Sequence, residues 1–120
     1  MKKVLLALAT AGVCFSASAG WVPAGVTTGG AVGNIAVEDQ KDASACPVVF
    51  FEQIVGGVST QYAFPLSTPA ANAWLAQLNT AKLKGSTVDV FLNEPADSTT
   101  FIDPRGRSYT KLRARGISLH

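Results

Sequence analysis

Residues 70–91, AANAWLAQLNTAKLKGSTVDVF, constrain the fold more than any other stretch of the chain. Ala71, Trp74, Leu75 and Leu78 recur at helical spacing, and Ala81 and Lys82 continue the stripe. Ser67 or Thr68 can cap the start, and Pro69 suits a first turn. Lys82 and Lys84 fall in the last turn, where the helix dipole favours cations, and Gly85 supplies the stop. Thr87–Leu92 follows at once as a strand, with Val88, Val90 and Leu92 on one parity and Asp89 and Phe91 on the other. Beyond the N-terminal residues no other segment has helical periodicity. The chain must therefore place one helix of about four turns among strands. Trp74 shares its stripe with Leu75 and Leu78, so it reads as a core anchor rather than a binding platform.

The flanking segments read as strands. Trp21–Asp39 is rich in glycine and β-branched residues, and its apolar phase flips near Gly29-Gly30, which predicts a long strand with a kink or bulge. Gln40–Ala45 is polar and loop-like. Cys46–Val55, CPVVFFEQIV, is apolar on both parities: Val48, Phe50 and Ile54 on one, Val49, Phe51 and Val55 on the other. A strand wet on one face would alternate, so this one is expected to be covered on both sides, by the core within and by a helix or another subunit without. Gly56-Gly57 turns it into Val58–Leu66 as a hairpin, with Tyr62 and Phe64 on one face. Asn93–Gly106, with two prolines, reads as a long loop. Ser108–Leu119 is the last strand, with a bulge expected at Gly116, where the apolar parity switches from Leu112 and Ala114 to Ile117 and Leu119.

The order is strand, strand, strand, helix, strand, strand. A mainly β, five-stranded OB-like barrel whose one helix lies between the third and fourth strands and plugs an end has this order. The alternative is an open α+β sheet with the helix packed across one face.

Met1-Lys2-Lys3, the apolar run Val4–Phe15 and the small residues Ala17-Ser18-Ala19 follow the order of a secretory signal, residues 1–19. The run is too short to anchor a chain across a bilayer. The expectation is therefore a secreted or periplasmic bacterial protein whose mature part, Gly20–His120, is a single domain. Lipid attachment at Cys14 is disfavoured by the bulky Val13 before it. Of 10 Lys+Arg, Lys2 and Lys3 lie in the leader, which leaves 8 basic against 8 acidic side chains. Global charge thus gives no reason to expect nucleic acid. With Cys14 removed, Cys46 has no internal partner and reads as a small buried apolar residue or as one half of an intermolecular disulfide.

Residues able to carry chemistry are few. The one histidine is His120, at the end of the chain, so a nucleophile–base pair and a metal site both lack their usual ligand; no catalytic residue, metal or cofactor is expected. Glu38, Asp39, Glu52, Glu94, Asp97 and Asp103 sit mostly in loops or on solvent faces. Glu52 stands out in an apolar strand and reads as an edge charge or interface partner; with Phe50 and Phe51 it forms a candidate oligomer interface. Lys111, Arg113 and Arg115 share a parity on the last strand, and Arg105 and Arg107 precede them. These five are the candidate ligand-binding residues, able to grip an anionic ligand, or else a solvated face or a salt-bridged subunit seam.

Ser67–Val90 combines an alanine-rich helix, Ala81-Lys82 near its end, a glycine and a short valine strand, and Trp21 follows the cleavage site. In this it resembles small exported bacterial proteins, the B subunits of subtilase cytotoxin and of typhoid and pertussis-like toxins. The resemblance implies an OB-fold, a homo-oligomeric ring of five, host glycans as ligands and an exported A-type partner protein. It departs from those subunits in lacking paired cysteines, and none of their sugar-binding positions is matched. Two functions follow: a non-enzymatic binding protein for a glycan or a protein partner, or a stand-alone periplasmic structural, interaction or inhibitor protein.

Overall fold

The computed structural model describes Pro23–Leu119, so the leader motif, Cys14, Trp21 and His120 lie outside the described residues. Seven strands and one helix follow the chain as β1 (Pro23–Glu38), β2 (Val48–Val55), β3 (Val58–Pro65), α1 (Ala71–Lys84), β4 (Thr87–Asn93), β5 (Ser98–Ile102), β6 (Ser108–Arg113) and β7 (Gly116–Leu119). They form one sheet in the order β5-β6-β3-β2-β1-β4-β7. The mainly β architecture with one helix is as expected. The strand count is seven rather than five, for two local reasons. The supposed loop 93–106 contains β5, which pairs with β6 across the turn at Asp103–Gly106. The supposed last strand is broken at Ala114-Arg115 into β6 and β7.

That break curls the sheet into a half-barrel. β6 runs parallel to β3, while β7 runs antiparallel to β4 on the far side of the sheet. The two link residues point their amides to opposite sides: Ala114 N–H donates to Ala63 O, and Arg115 N–H donates to Phe91 O. Consecutive residues therefore tie β3 to β4, and the sheet between them must bend round a core.

β1 makes the same bend from the other side. Its first half pairs with β4 and its second half with β2, with register shifts at Thr27/Gly30 and Val32/Ile35. A third shift lies at Pro23/Gly25. A shift leaves a backbone N–H without a ladder partner, and at Thr27/Gly30 and Val32/Ile35 an acidic side chain from the neighbouring strand takes it. Gly29 N–H, at φ 67°, donates to Asp89 Oδ1 at 2.9 Å, and Asn34 N–H donates to Glu52 Oε1 at 2.9 Å. Lys82 Nζ caps Gly33 O at 2.6 Å, which ties the second bulge to the end of α1. The phase flip at Gly29-Gly30 is thus a bulge, as expected.

The helix begins later than its capping signals suggested. Ala70 is the N-cap and makes no side-chain cap bond; Thr68 contributes its carbonyl, to Ala71 N–H, rather than its hydroxyl. Gly85 ends the helix in the left-handed region at φ 69°, as its position implied. α1 buries Ala71, Trp74, Leu78 and Ala81 against Val49, Phe51, Tyr62, Phe64, Val88, Val90, Ala114 and Ile117. Trp74 meets Phe64 edge to face at 5.3 Å, so it is a core anchor.

A second, smaller core lies on the outer face of β2 and β3. Val48, Ala63 and Phe101 are buried there, with Phe50 and Tyr109 packed around them. The Phe50 and Phe101 rings are 4.2 Å apart, and Phe101 stacks on Tyr109 at 5.4 Å and 8°. This accounts for the apolar outer parity of β2 at Val48 and Phe50: the chain's own β5–β6 hairpin, rather than a helix, packs over them.

Candidate functional site

The hairpin that covers the outer face does not cover all of it. Between β1–β2 and the hairpin runs an open trough of about 210 Å³. Phe50, Phe101 and Tyr109 form an aromatic side, and Asn34, Glu38, Glu52, Gln61 and Lys111 bring polar groups to it. Register explains the grouping. Phe101 is opposite Tyr109, Glu52 is opposite Gln61, and Phe50 is opposite Ala63, all on one face of the curled sheet.

Three of those polar side chains, Lys111, Gln61 and Glu52, already have partners. Lys111 Nζ donates to Gln61 Oε1. Glu52 accepts from Asn34 N–H through Oε1 and from Ser59 Oγ through Oε2 at 3.2 Å. Both carboxylate oxygens are engaged, so Glu52 acts first as a staple for the bulge. Glu38, by contrast, is exposed at the rim. A second, more open recess of about 490 Å³ lies between residues 40–42 and the β5 edge; it has no comparable aromatic wall.

The five basic residues do not form one patch. Arg105 and Arg107 sit at the hairpin turn, and Lys111, Arg113 and Arg115 lie toward its base. A strand rises about 3.3 Å per residue, so some 20 Å separates Arg107 from Arg113. The turn is organised by Asp103, which is 1% exposed. Its Oδ1 accepts from Arg105 N–H and Arg107 N–H at 2.9 Å, and its Oδ2 accepts from Arg107 Nε at 3.1 Å. Burial alone would push this carboxyl up; the Arg107 amide and guanidinium and the Arg105 amide outweigh it and hold Asp103 below its usual range. Arg107 also lies over the Tyr109 ring at 5.6 Å. Its role is to hold the turn.

At the base, Arg115 pairs with Asp97 at 2.5 Å. Arg113 donates its backbone N–H to Asp97 O. Burial, and then the Arg115 charge beside it, lower the Arg113 pKa, with Asp97 opposing them. Of the candidate interface residues, Phe51 belongs to the main core, Phe50 to the aromatic wall and Glu52 to the bulge. Cys46 is buried, in line with its reading as a small buried residue, and it is disulfide-bonded rather than a free thiol. Among the described residues no group of three or more His, Cys, Asp or Glu could hold a metal ion. No helix among them is long and apolar enough to cross a membrane.

Phe101, Tyr109 and Asp103 were missed as site-forming residues. Their signal was present: STTFI and SYTKL are β-branched runs flanking Asp103-Pro104-Arg105-Gly106, a turn sequence. Family models, curated proteins and solved structures were each compared with the chain, and none matches.

Proposed function

We propose that this is an exported, non-enzymatic binding protein, built as an OB-like barrel and similar in role to a toxin B subunit, with a glycan as its ligand. The observation that carries the reading is the trough: a half-open aromatic wall facing a polar rim, the usual composition of a small-molecule site. Sugar rings present an apolar face and a belt of hydroxyls, and Phe50 and Tyr109 with Lys111, Gln61 and Glu38 offer the complement to both. The parallel β3–β6 pairing and the shared β6–β7 segment support the barrel topology. No acid–base pair with free geometry accompanies the trough, which favours binding over catalysis.

A glycan array followed by titration calorimetry tests the reading. Binding of at least one neutral or acidic glycan is expected, weakened about tenfold, or roughly 1.4 kcal/mol, by Tyr109→Ala. Silence across neutral, sialylated and sulfated glycans would remove it and leave the structural or interaction module. The ring assembly belongs to the same proposal; light scattering showing a monomer at micromolar concentration would remove that part alone.

A further inference from the structure

Unsatisfied polarity among the described residues is concentrated at the base of the β5–β6 hairpin. Seven buried side-chain N or O atoms have no hydrogen-bond partner, and four of them are Asp97 Oδ1, Thr99 Oγ1, Arg113 Nε and Arg115 Nε. Buried polar atoms are paired as a rule, so the three that can donate, Thr99 Oγ1, Arg113 Nε and Arg115 Nε, ask for an acceptor; Asp97 Oδ1 is itself an acceptor and opposes an anion placed beside it. The topology assembles it. Arg113 lies opposite Ala63 of β3, whose small side chain leaves its guanidinium room. Thr99 lies opposite Lys111, and the Asp97 carbonyl takes the Arg113 amide.

The charges in this corner do not balance. Asp97 gives Oδ2 to Arg115, and the other ion pair among the described residues, Arg107–Asp103, is at the far end of the hairpin. Among the described residues the half-buried Arg113 side chain has no hydrogen-bonded acceptor, and Asp97 acts on it only as a nearby charge. Arg113 and Arg115 against Asp97 leave an excess of one positive charge, while Lys111 lies toward the trough that Glu38 and Glu52 also line. A cation partly withdrawn from water beside a like charge is unfavourable unless an anion joins it.

We propose that Arg113, supported by Arg115 and the Thr99 hydroxyl, seats a tetrahedral oxoanion: a sulfate or phosphate group, free or as a monoester. The planar guanidinium matches two oxygens of such a group, and charge-assisted bonds of this kind are short and strong. Thr99 Oγ can donate a further bond, and Lys111 adds attraction from the adjacent register position. The site does not depend on the trough binding a sugar. The competing arrangement is internal: Asp97 Oδ1 turns to Arg113 and closes the corner without a ligand.

The test is NMR titration of the protein with inorganic sulfate and, separately, inorganic phosphate, each against sodium chloride at matched ionic strength. Saturable shifts of the Arg113 Nε–H and Thr99 signals are expected with both oxoanions and not with chloride. Arg113→Met should weaken binding about tenfold or more, the loss of one charge-assisted contact. Arg113→Lys, which keeps the charge but not the fork, should fall between and carries the conclusion if the methionine variant unfolds. Arg105→Ala removes an equal charge at the hairpin turn and should change affinity less than about twofold. Shifts that match the chloride control, or an equal loss in Arg105→Ala and Arg113→Met, would overturn the proposal. Glucose 6-sulfate and glucose 6-phosphate then separate the two sources. Affinity rising through the second phosphate ionisation, near pH 6, would mark a phosphate dianion.

Discussion

Replacing Gly30 by alanine probes the packing logic of β1 at one atom. Gly30 is buried opposite Val88, and across it lies Gln53, 1% exposed, whose Nε2 donates to Val88 O at 2.9 Å. A Cβ at Gly30 would sit 2.7 Å from Gln53 Cδ and 2.8 Å from its Nε2, and closer still to Cγ. Gln53 must then swing away. Overpacking of this kind costs about 1–3 kcal/mol. Leaving Val88 O and the Gln53 amide imperfectly paired adds about 1–3 kcal/mol. The sum, about 2–6 kcal/mol, is a large part of the stability of a small domain, about 5–15 kcal/mol. At this size each kcal/mol lowers Tm by about 4–8 °C, so a fall of roughly 10 °C or more is expected. Urea unfolding followed by tryptophan fluorescence measures it, with an unchanged m-value showing that the native and unfolded surfaces are the same. The decisive arm is a double-mutant cycle with Gln53→Ala. That change removes the obstructing side chain, so Gly30→Ala in its background should cost less than about 1 kcal/mol, a coupling of at least about 1 kcal/mol. Strict additivity, or a Gly30→Ala variant as stable as the parent, would refute the claim that Gly30 exists to admit Gln53.

Trp74→Ala should cost about 3–5 kcal/mol, because its ring fills the space between α1 and Phe64; a urea midpoint equal to the parent's would contradict its role as anchor. Glu52→Ala should cost about 1–2 kcal/mol and speed amide exchange at Asn34, leaving Gly29, held by Asp89, unchanged. Asp103 is held below its ordinary pKa in the folded state, so its contribution is fully present above about pH 4 and is lost as pH falls through the folded value. The Arg105 and Arg107 amide shifts should therefore titrate below the ordinary aspartate range, and Asp103→Asn should abolish that titration.

Local signals were enough for the elements that depend on neighbours in the chain. The apolar repeat from Ala71 to Ala81 and the stop at Gly85 specify α1; the glycine pair at 56–57 specifies the β2–β3 hairpin; the phase flip at Gly29-Gly30 specifies a bulge. Each rests on a side-chain period or a backbone conformation set within a few residues. The helix starts later than Ser67, Thr68 and Pro69 suggest because these residues form turns after β3: Thr68 N–H donates to Pro65 O, and the Thr68 carbonyl, rather than its hydroxyl, accepts from Ala71 N–H. What covers the outer face of β2 could not be read locally, since two apolar parities say only that both sides are dry. That answer depends on the break at Ala114-Arg115, which lets β6 reach β3 and swings Phe101 and Tyr109 over Phe50. The same step divides five arginines and lysines of similar appearance into a turn clamp at Asp103 and an unpaired cation at Arg113. Parity along a strand determines which side chains share a face. Which of them find a partner is decided by pairings between strands more than thirty residues apart in sequence, such as β3 and β6, and only the folded chain brings those together.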